Sequence, residues 1–149
     1  ANKNFKLCFD ESLGLKSHYK KQGSYVPEEF EKTIEQFNKK YKDFNSELSS
    51  DFIDLGRESY CFPDLKILST QDKKETYFEL FHKWHYSQLK DRLKALEKSN
   101  FSSLKLGVCK SLLASKKYDL KDILESENFK KHCFTFRDFP SSKQLFEGL

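Results

Sequence analysis

Between Pro27 and Gly56 the apolar residues Phe30, Ile34, Phe37, Tyr41, Phe44, Leu48, Phe52 and Leu55 follow one another at steps of three or four. That spacing puts them on one stripe of an α-helix, and the stripe must be hidden from water. Pro27 suits a first helical turn, Glu28 and Glu29 complement the positive end of the helix dipole, and Gly56 offers a stop. Continuous helix over this span predicts a rod on the order of 40 Å long, with Ser49-Ser50 as its weakest point. Phe and Tyr are poor knobs for a two-stranded coiled coil, which favours Leu, Ile and Val. The stripe is therefore expected to pack against other helices of the same monomer.

A second stripe is formed by Phe78, Phe81, His82, His85, Leu89, Leu93 and Leu96. It predicts a helix capped by Ser69 or Thr70 and running to about Lys98, made central by a second apolar face of Tyr77, Leu80 and Trp84. Residues 60–68 read as a tucked-in connection, with Pro63 biasing Phe62 away from helix. After a turn at residues 99–102, Leu104, Val108, Cys109, Leu112 and Leu113 predict a third helix. Leu120, Ile123 and Leu124, behind a cap at Asp119, predict a fourth. Near the N-terminus Phe5, Cys8, Phe9 and Leu13 share one side of a short helix closed by Gly14, and residues 16–24 read as loop. Cys133–Phe139 begins with apolar and polar residues in alternation and reads as extended, and Pro140-Ser141-Ser142 opens a last helical turn with Leu145 and Phe146. No repeat or linker divides the chain. The expected fold is all-α, a single-domain helical bundle over residues 1–149, with about four main helices, short extra helices and an extended C-terminal segment.

Composition limits the alternatives. The 149 residues include 15 Phe, 7 Tyr and 1 Trp, too many aromatic residues for a disordered chain. No apolar run approaches the roughly 18–20 residues of a transmembrane helix. With 5 Gly and 3 Pro, a loop-dense β-sandwich is disfavoured. The net charge of +4 is carried mostly by lysine, with only Arg57, Arg92 and Arg137 as guanidinium groups. Base and phosphate readers lean on arginine, so sequence-specific nucleic-acid recognition is disfavoured. The lysine doublets, such as Lys39-Lys40 and Lys130-Lys131, are scattered among acids as on a solvated surface.

No nucleophile, phosphate-loop or dinucleotide motif occurs, and the sequence points to no cofactor. His82 and His85, three residues apart on the expected helix, are the candidate metal ligands. Glu79 and His82 make one Glu-x-x-His, but the second copy that a di-iron bundle needs is missing. Cys8, Cys61, Cys109 and Cys133 show no zinc-type spacing and are candidates for two disulfides in an oxidising compartment, or for free thiols in the cytosol. Asn100-Phe101-Ser102 is a candidate glycosylation acceptor, and Ala1 in a chain without methionine is compatible with a processed terminus. These features favour a secreted or lumenal protein over a cytoplasmic or nuclear one.

In size, four cysteines and long amphipathic helices, the expected architecture resembles helical cytokines and effector domains. The resemblance implies a non-enzymatic module that binds a protein partner, with exposed aromatic residues as anchors. The alternatives are an intracellular adaptor with nucleic-acid contact and a carrier of a small hydrophobic ligand in a Phe-lined cavity.

Overall fold

The first expected rod breaks midway. In the computed structural model, which describes residues 27–56, 58–99, 101–115, 117 and 120–149, helix α1 covers only Glu28–Lys40. Glu28, Glu29 and Glu31 lie in its first turn and Lys39 and Lys40 in its last, both favourable to the dipole. The Asn38 side chain then ends the helical run by clipping the next segment. Its Nδ2 donates to the Ser46 carbonyl (2.9 Å), and its Oδ1 accepts from the Ser46 N–H (2.7 Å). Phe44–Leu48 is thereby held as strand β1.

Beyond it come β2 (Ile53–Asp54), β3 (Tyr60–Cys61), β4 (Leu65–Ser69), β5 (Glu75–Phe81), α2 (Tyr86–Lys98) and β6 (Leu104–Cys109). The short helices α3 (Lys110–Leu113), α4 (Lys121–Glu125) and α5 (Glu127–His132) lead to β7 (Cys133–Phe136) and α6 (Ser142–Glu147). Five strands form one sheet in the order β1-β4-β5-β6-β7, while β2 and β3 make a separate two-stranded hairpin. The pairs β1–β4 and β4–β5 are antiparallel; β5–β6 and β6–β7 are parallel, joined through α2 and through α3–α5. The protein is thus α/β with a mixed sheet, and the expectation of an all-α helical bundle is overturned.

The physical reason lies in the sheet's two covered faces. One face carries Leu65, Ile67, Phe78, Leu80 and Phe136 against α1 and α6; the other carries Phe81, Leu104, Leu106 and Val108 against α2 and α5. Strands buried on both sides lose the apolar–polar alternation that identifies a strand. Thr76–Phe81 became an apolar run whose residues also fit helical spacing, and its continuation into α2 completed the false stripe. The third expected helix is likewise β6 followed by the single turn of α3. At the edge of the sheet and at the last helix the reading and the structure agree. Cys133–Phe136 is extended, and α6 opens at Ser141 with a capping box to Gln144.

Gly107 in β6 pairs with Leu80 and Phe134 on its two sides. A Cβ there would lie 2.6 Å from Leu80 Cδ2 and 3.0 Å from Phe134 Cζ, so those side chains fill the space glycine leaves.

Among the described residues Cys61, Cys109 and Cys133 are free thiols, which corrects the disulfide expectation; Cys8 lies outside them. Cys109 and Cys133 sit on opposite faces of the sheet, and Cys109 Sγ contacts the Arg137 carbonyl at 2.7 Å. Burial pushes the Cys133 thiol up to about 12, so it behaves as a small core residue. No helix among the described residues is long and apolar enough to cross a membrane.

Candidate functional site

Helix α2 buries Leu89, Leu93 and Leu96 against the sheet. Arg92, on the flank of that stripe, is carried over β5. Its Nε and Nη2 donate to the two oxygens of Glu79 (2.6 and 3.0 Å), and its Nη1 donates to the Tyr60 carbonyl (2.9 Å). Both partners are largely desolvated, with side-chain exposures of 14% and 16%. Such a two-pronged pairing is geometrically specific, but removing both charges from water offsets much of its attraction.

A second carboxylate is brought to the same place by strand register. Leu65 pairs with Phe78, which sets the preceding residue, Asp64, beside Glu79. The Asp64 N–H donates to the Phe78 carbonyl (2.8 Å), and its Oδ2 accepts from the Leu80 N–H (2.7 Å). Asp64 therefore grips β5 on both sides of Glu79. Burial, reinforced by the negative charge of Glu79, raises its carboxyl to about 6 despite the Leu80 hydrogen bond. Among the described residues no Lys or Arg is paired with Asp64. Cys61 Sγ donates to Glu79 Oε2 (3.4 Å), and burial keeps this thiol protonated well above its ordinary range. The cluster thus has two carboxylates, one guanidinium and one neutral thiol.

The hairpin that carries Cys61 exposes aromatic residues. Phe62 and Phe52 are 71% and 66% exposed and Tyr60 is 49% exposed, although each is flanked by buried chain. The Phe52 centroid lies 6.2 Å from that of Tyr60 and 6.5 Å from that of Phe62. On the other side of the hairpin, Leu55, Gly56 and Ser59 meet Asp91, Lys94 and Lys98 of α2 around a cleft of about 230 Å³. Polar groups in that lining give a small hydrophobic ligand little to bury against.

His82 and His85 lie on the turn between β5 and α2, not on a helical face. His85 Nδ1 accepts from the His82 N–H (3.2 Å), while the His82 ring stacks on Trp84 and meets Phe136 edge-on. Burial, then the neighbouring His85, holds the His82 ring below its ordinary value. Among the described residues no three His, Cys, Asp or Glu side chains are grouped as ligands of one metal ion. Asn100 lies outside the described residues.

Sequence reasoning missed Asp64 and Arg92 and used Glu79 only as a failed half-motif. The available signal was Glu79 itself, a carboxylate in an apolar strand, which must find a partner when the strand is buried. Arg92, among so few arginines, was the natural one.

The sequence matches no known protein-family model and no curated protein.

Proposed function

We propose that Asp64, Glu79 and Arg92 form a hydrolytic site for phosphodiesters of nucleic acid, assisted by a hard divalent cation. The observation that carries this reading is the excess carboxylate. A structural ion pair needs one acid for Arg92, and Glu79 fills that place, yet Asp64 lies half-buried beside it with no Lys or Arg partner among the described residues. Clustered ionisable groups with displaced pKa values are characteristic of active sites.

The donor chemistry would suit a hard cation through Asp64, a carboxylate with no Lys or Arg partner among the described residues, while Glu79 stays engaged by Arg92 and the thiol stays protonated. Magnesium is commonly held by one or two carboxylates, with water and substrate phosphate completing its shell. When bound, such a cation supplies Lewis acidity and a more acidic water. Asp64 would orient that water and take up the proton it loses, with Glu79 holding Arg92 in place beside it. Three of the five N–H donors of Arg92 are engaged by Glu79 and Tyr60, which leaves two to face charge building on the phosphate. The water oxygen bonds to phosphorus, the ester P–O bond breaks, and the leaving oxygen gains a proton, giving a phosphomonoester and an alcohol. An anionic substrate also suits the net charge of +4 and the exposed Lys90, Lys94 and Lys98, spaced by single turns along α2.

The test is cleavage of labelled single- and double-stranded oligonucleotides with Mg2+ or Mn2+, comparing wild type with Asp64→Asn. Loss of several kcal/mol of charge stabilisation should lower the rate at least about a hundredfold. Intact substrates with folded wild type, or full activity in Asp64→Asn, overturn the reading. A protein partner, as expected from the sequence, would engage Phe52, Tyr60 and Phe62 or the exposed Trp84, and would be indifferent to Asp64.

A further inference from the structure

The central sheet ends on β1, and among the described residues no strand lies on its outer side. The β1–β4 ladder fixes which backbone groups face outward. The Thr70 N–H donates to the Asp43 carbonyl (2.9 Å) and the Ser49 N–H to the Asp64 carbonyl (3.1 Å), so Asn45 and Glu47, between them in alternation, also bond inward to β4. The N–H and C=O groups of Phe44, Ser46 and Leu48 therefore point away from the sheet. An edge strand that presents such a row is a template for pairing with another chain. Here the row is largely filled. The Phe44 N–H donates to the Tyr41 carbonyl (3.1 Å), and both groups of Ser46, at the centre of the strand, are taken by the Asn38 side chain (2.7 and 2.9 Å). A carboxamide offers an N–H and a C=O side by side, as a peptide unit does. The two bonds between Asn38 and Ser46 thus repeat those that an opposed residue makes in an antiparallel hydrogen-bonded pair. The opposite edge strand, β7, meets the same chemistry at one point, where Gln144 Nε2 of α6 donates to the Thr135 carbonyl (2.7 Å).

We propose that Asn38 is an edge guard: its carboxamide stands in for a further strand and holds β1 closed against a second copy of this chain. A second copy is the fitting occupant because β1 is self-complementary about Ser46. In an antiparallel pair with that residue on the two-fold axis, each Ser46 gives its N–H to the carbonyl of the other. Glu47 then falls opposite Asn45 of the copy, so no like charges meet across the seam. Half-buried Phe44 falls opposite Leu48, which is 40% exposed and gains burial there. While Asn38 holds both groups of Ser46, the centre of that pairing has nothing left to exchange. The guard is independent of the acid cluster and of any hydrolysis there.

Sedimentation velocity over a wide range of protein concentration compares wild type with Asn38→Ala, and amide hydrogen exchange at Ser46 reports the edge itself. Wild type is expected to stay monomeric, with the Ser46 N–H protected at every concentration. Asn38→Ala should keep the wild-type circular dichroism spectrum, because water reaches the freed backbone groups once the side chain is gone. It should self-associate at least about tenfold more tightly than wild type. Its Ser46 N–H should exchange at least about tenfold faster than in wild type when dilute, and regain protection when concentrated. If Asn38→Ala loses the wild-type spectrum, Asn38→Ser, whose hydroxyl is too short to span both groups, carries the same expectations. A folded variant as monomeric as wild type overturns the proposal, and so does equal association of the two proteins. Association that leaves the Ser46 N–H exchanging fast also overturns it, because the contact then lies elsewhere. Loss of the fold in both variants would assign Asn38 to holding the chain together and end its role as a guard.

Discussion

The two faces of the central sheet solve the same burial problem with different chemistry. On the α1–α6 face, Phe37, Phe78, Leu65, Ile67 and Leu145 are packed to complete exclusion of water or nearly so. Tyr41 stacks on Phe146 at 4.2 Å. The ion pairs of α1 and α6 stay on the outside, as Lys32–Glu28 and Lys143–Glu147. The α2 face has an equally apolar leucine centre, yet at its edge it desolvates an arginine and a carboxylate and half-buries a second carboxylate. Rings alone could have closed that edge, as they do opposite. A buried ion pair seldom adds net stability over apolar packing, and the contrast is one that the proposed hydrolytic role of the α2 edge would account for.

The contrast can be broken most directly at Arg92. Arg92→Ala strands Glu79 and Asp64 in a poorly solvated pocket and should cost about 3–5 kcal/mol in a denaturant titration, as much as Phe37→Ala on the opposite face. Replacing the pair together, Arg92→Met with Glu79→Leu, should restore most of that loss while leaving hydrolysis absent. A cost for Arg92→Ala below about 1 kcal/mol would mean that the pair is effectively solvated and the faces are alike.

Gly107 tests whether the ring-packed face is as rigid as its contacts imply. Gly107→Ala must displace Leu80 and Phe134 and should destabilise by about 1–3 kcal/mol in the same titration. An unchanged midpoint would show that the face yields.

The penalty at Asp64 should appear as a pH dependence. Its folded-state carboxyl titrates near 6, above its unfolded value near 4, so the folded chain binds that proton more tightly. The Asp64 contribution to stability is therefore greatest below pH 4, declines between about pH 4 and 6, and stays low above that, a change on the order of 2 kcal/mol. Asp64→Asn should remove this slope and gain on wild type as pH rises, measured by unfolding midpoints at pH 4.5 and 7.5. At pH 7.5 millimolar Mg2+ or Mn2+ should raise the melting temperature of wild type and not of Asp64→Asn. Equal cation response in both would remove Asp64 from any cation site.

The smallest effect belongs to an exposed cap on the ring-packed side. Ser141→Ala forfeits the capping box with Gln144 and should cost about 1 kcal/mol by thermal unfolding, without touching hydrolysis.

Much of this was legible locally and little of it globally. Pro27 with its acidic neighbours marked the start of α1, and Ser141 with Leu145 marked α6, because capping and dipole effects depend on adjacent residues alone. The strand character of Thr76–Phe81 was hidden because helices cover both of its sides, so Phe78 and Phe81 satisfied helical spacing as readily as their true pleat. The β1 segment was misread for a different reason. Ser46 is buried beside Asn38, and that side-chain clip eight residues away outweighs the helical periodicity of Phe44 and Leu48. The site followed the same logic. Glu79 stood out as a charge in an apolar run, but Asp64 acquires meaning only from the β4–β5 register, which the residues before and after it do not encode.

The clip, the register and the guanidinium differ in how far along the chain they reach, and this bears on how the molecule comes to be assembled. Arg92 meets Glu79 across 13 residues, Leu80 meets Asp64 across 16, and Cys61 meets Glu79 across 18. Loops of that size close at modest entropic expense and within microseconds. During synthesis the acidic centre can therefore take shape while β7 and α6 are still inside the ribosome, with β6 next to arrive and seal the leucine layer beneath it.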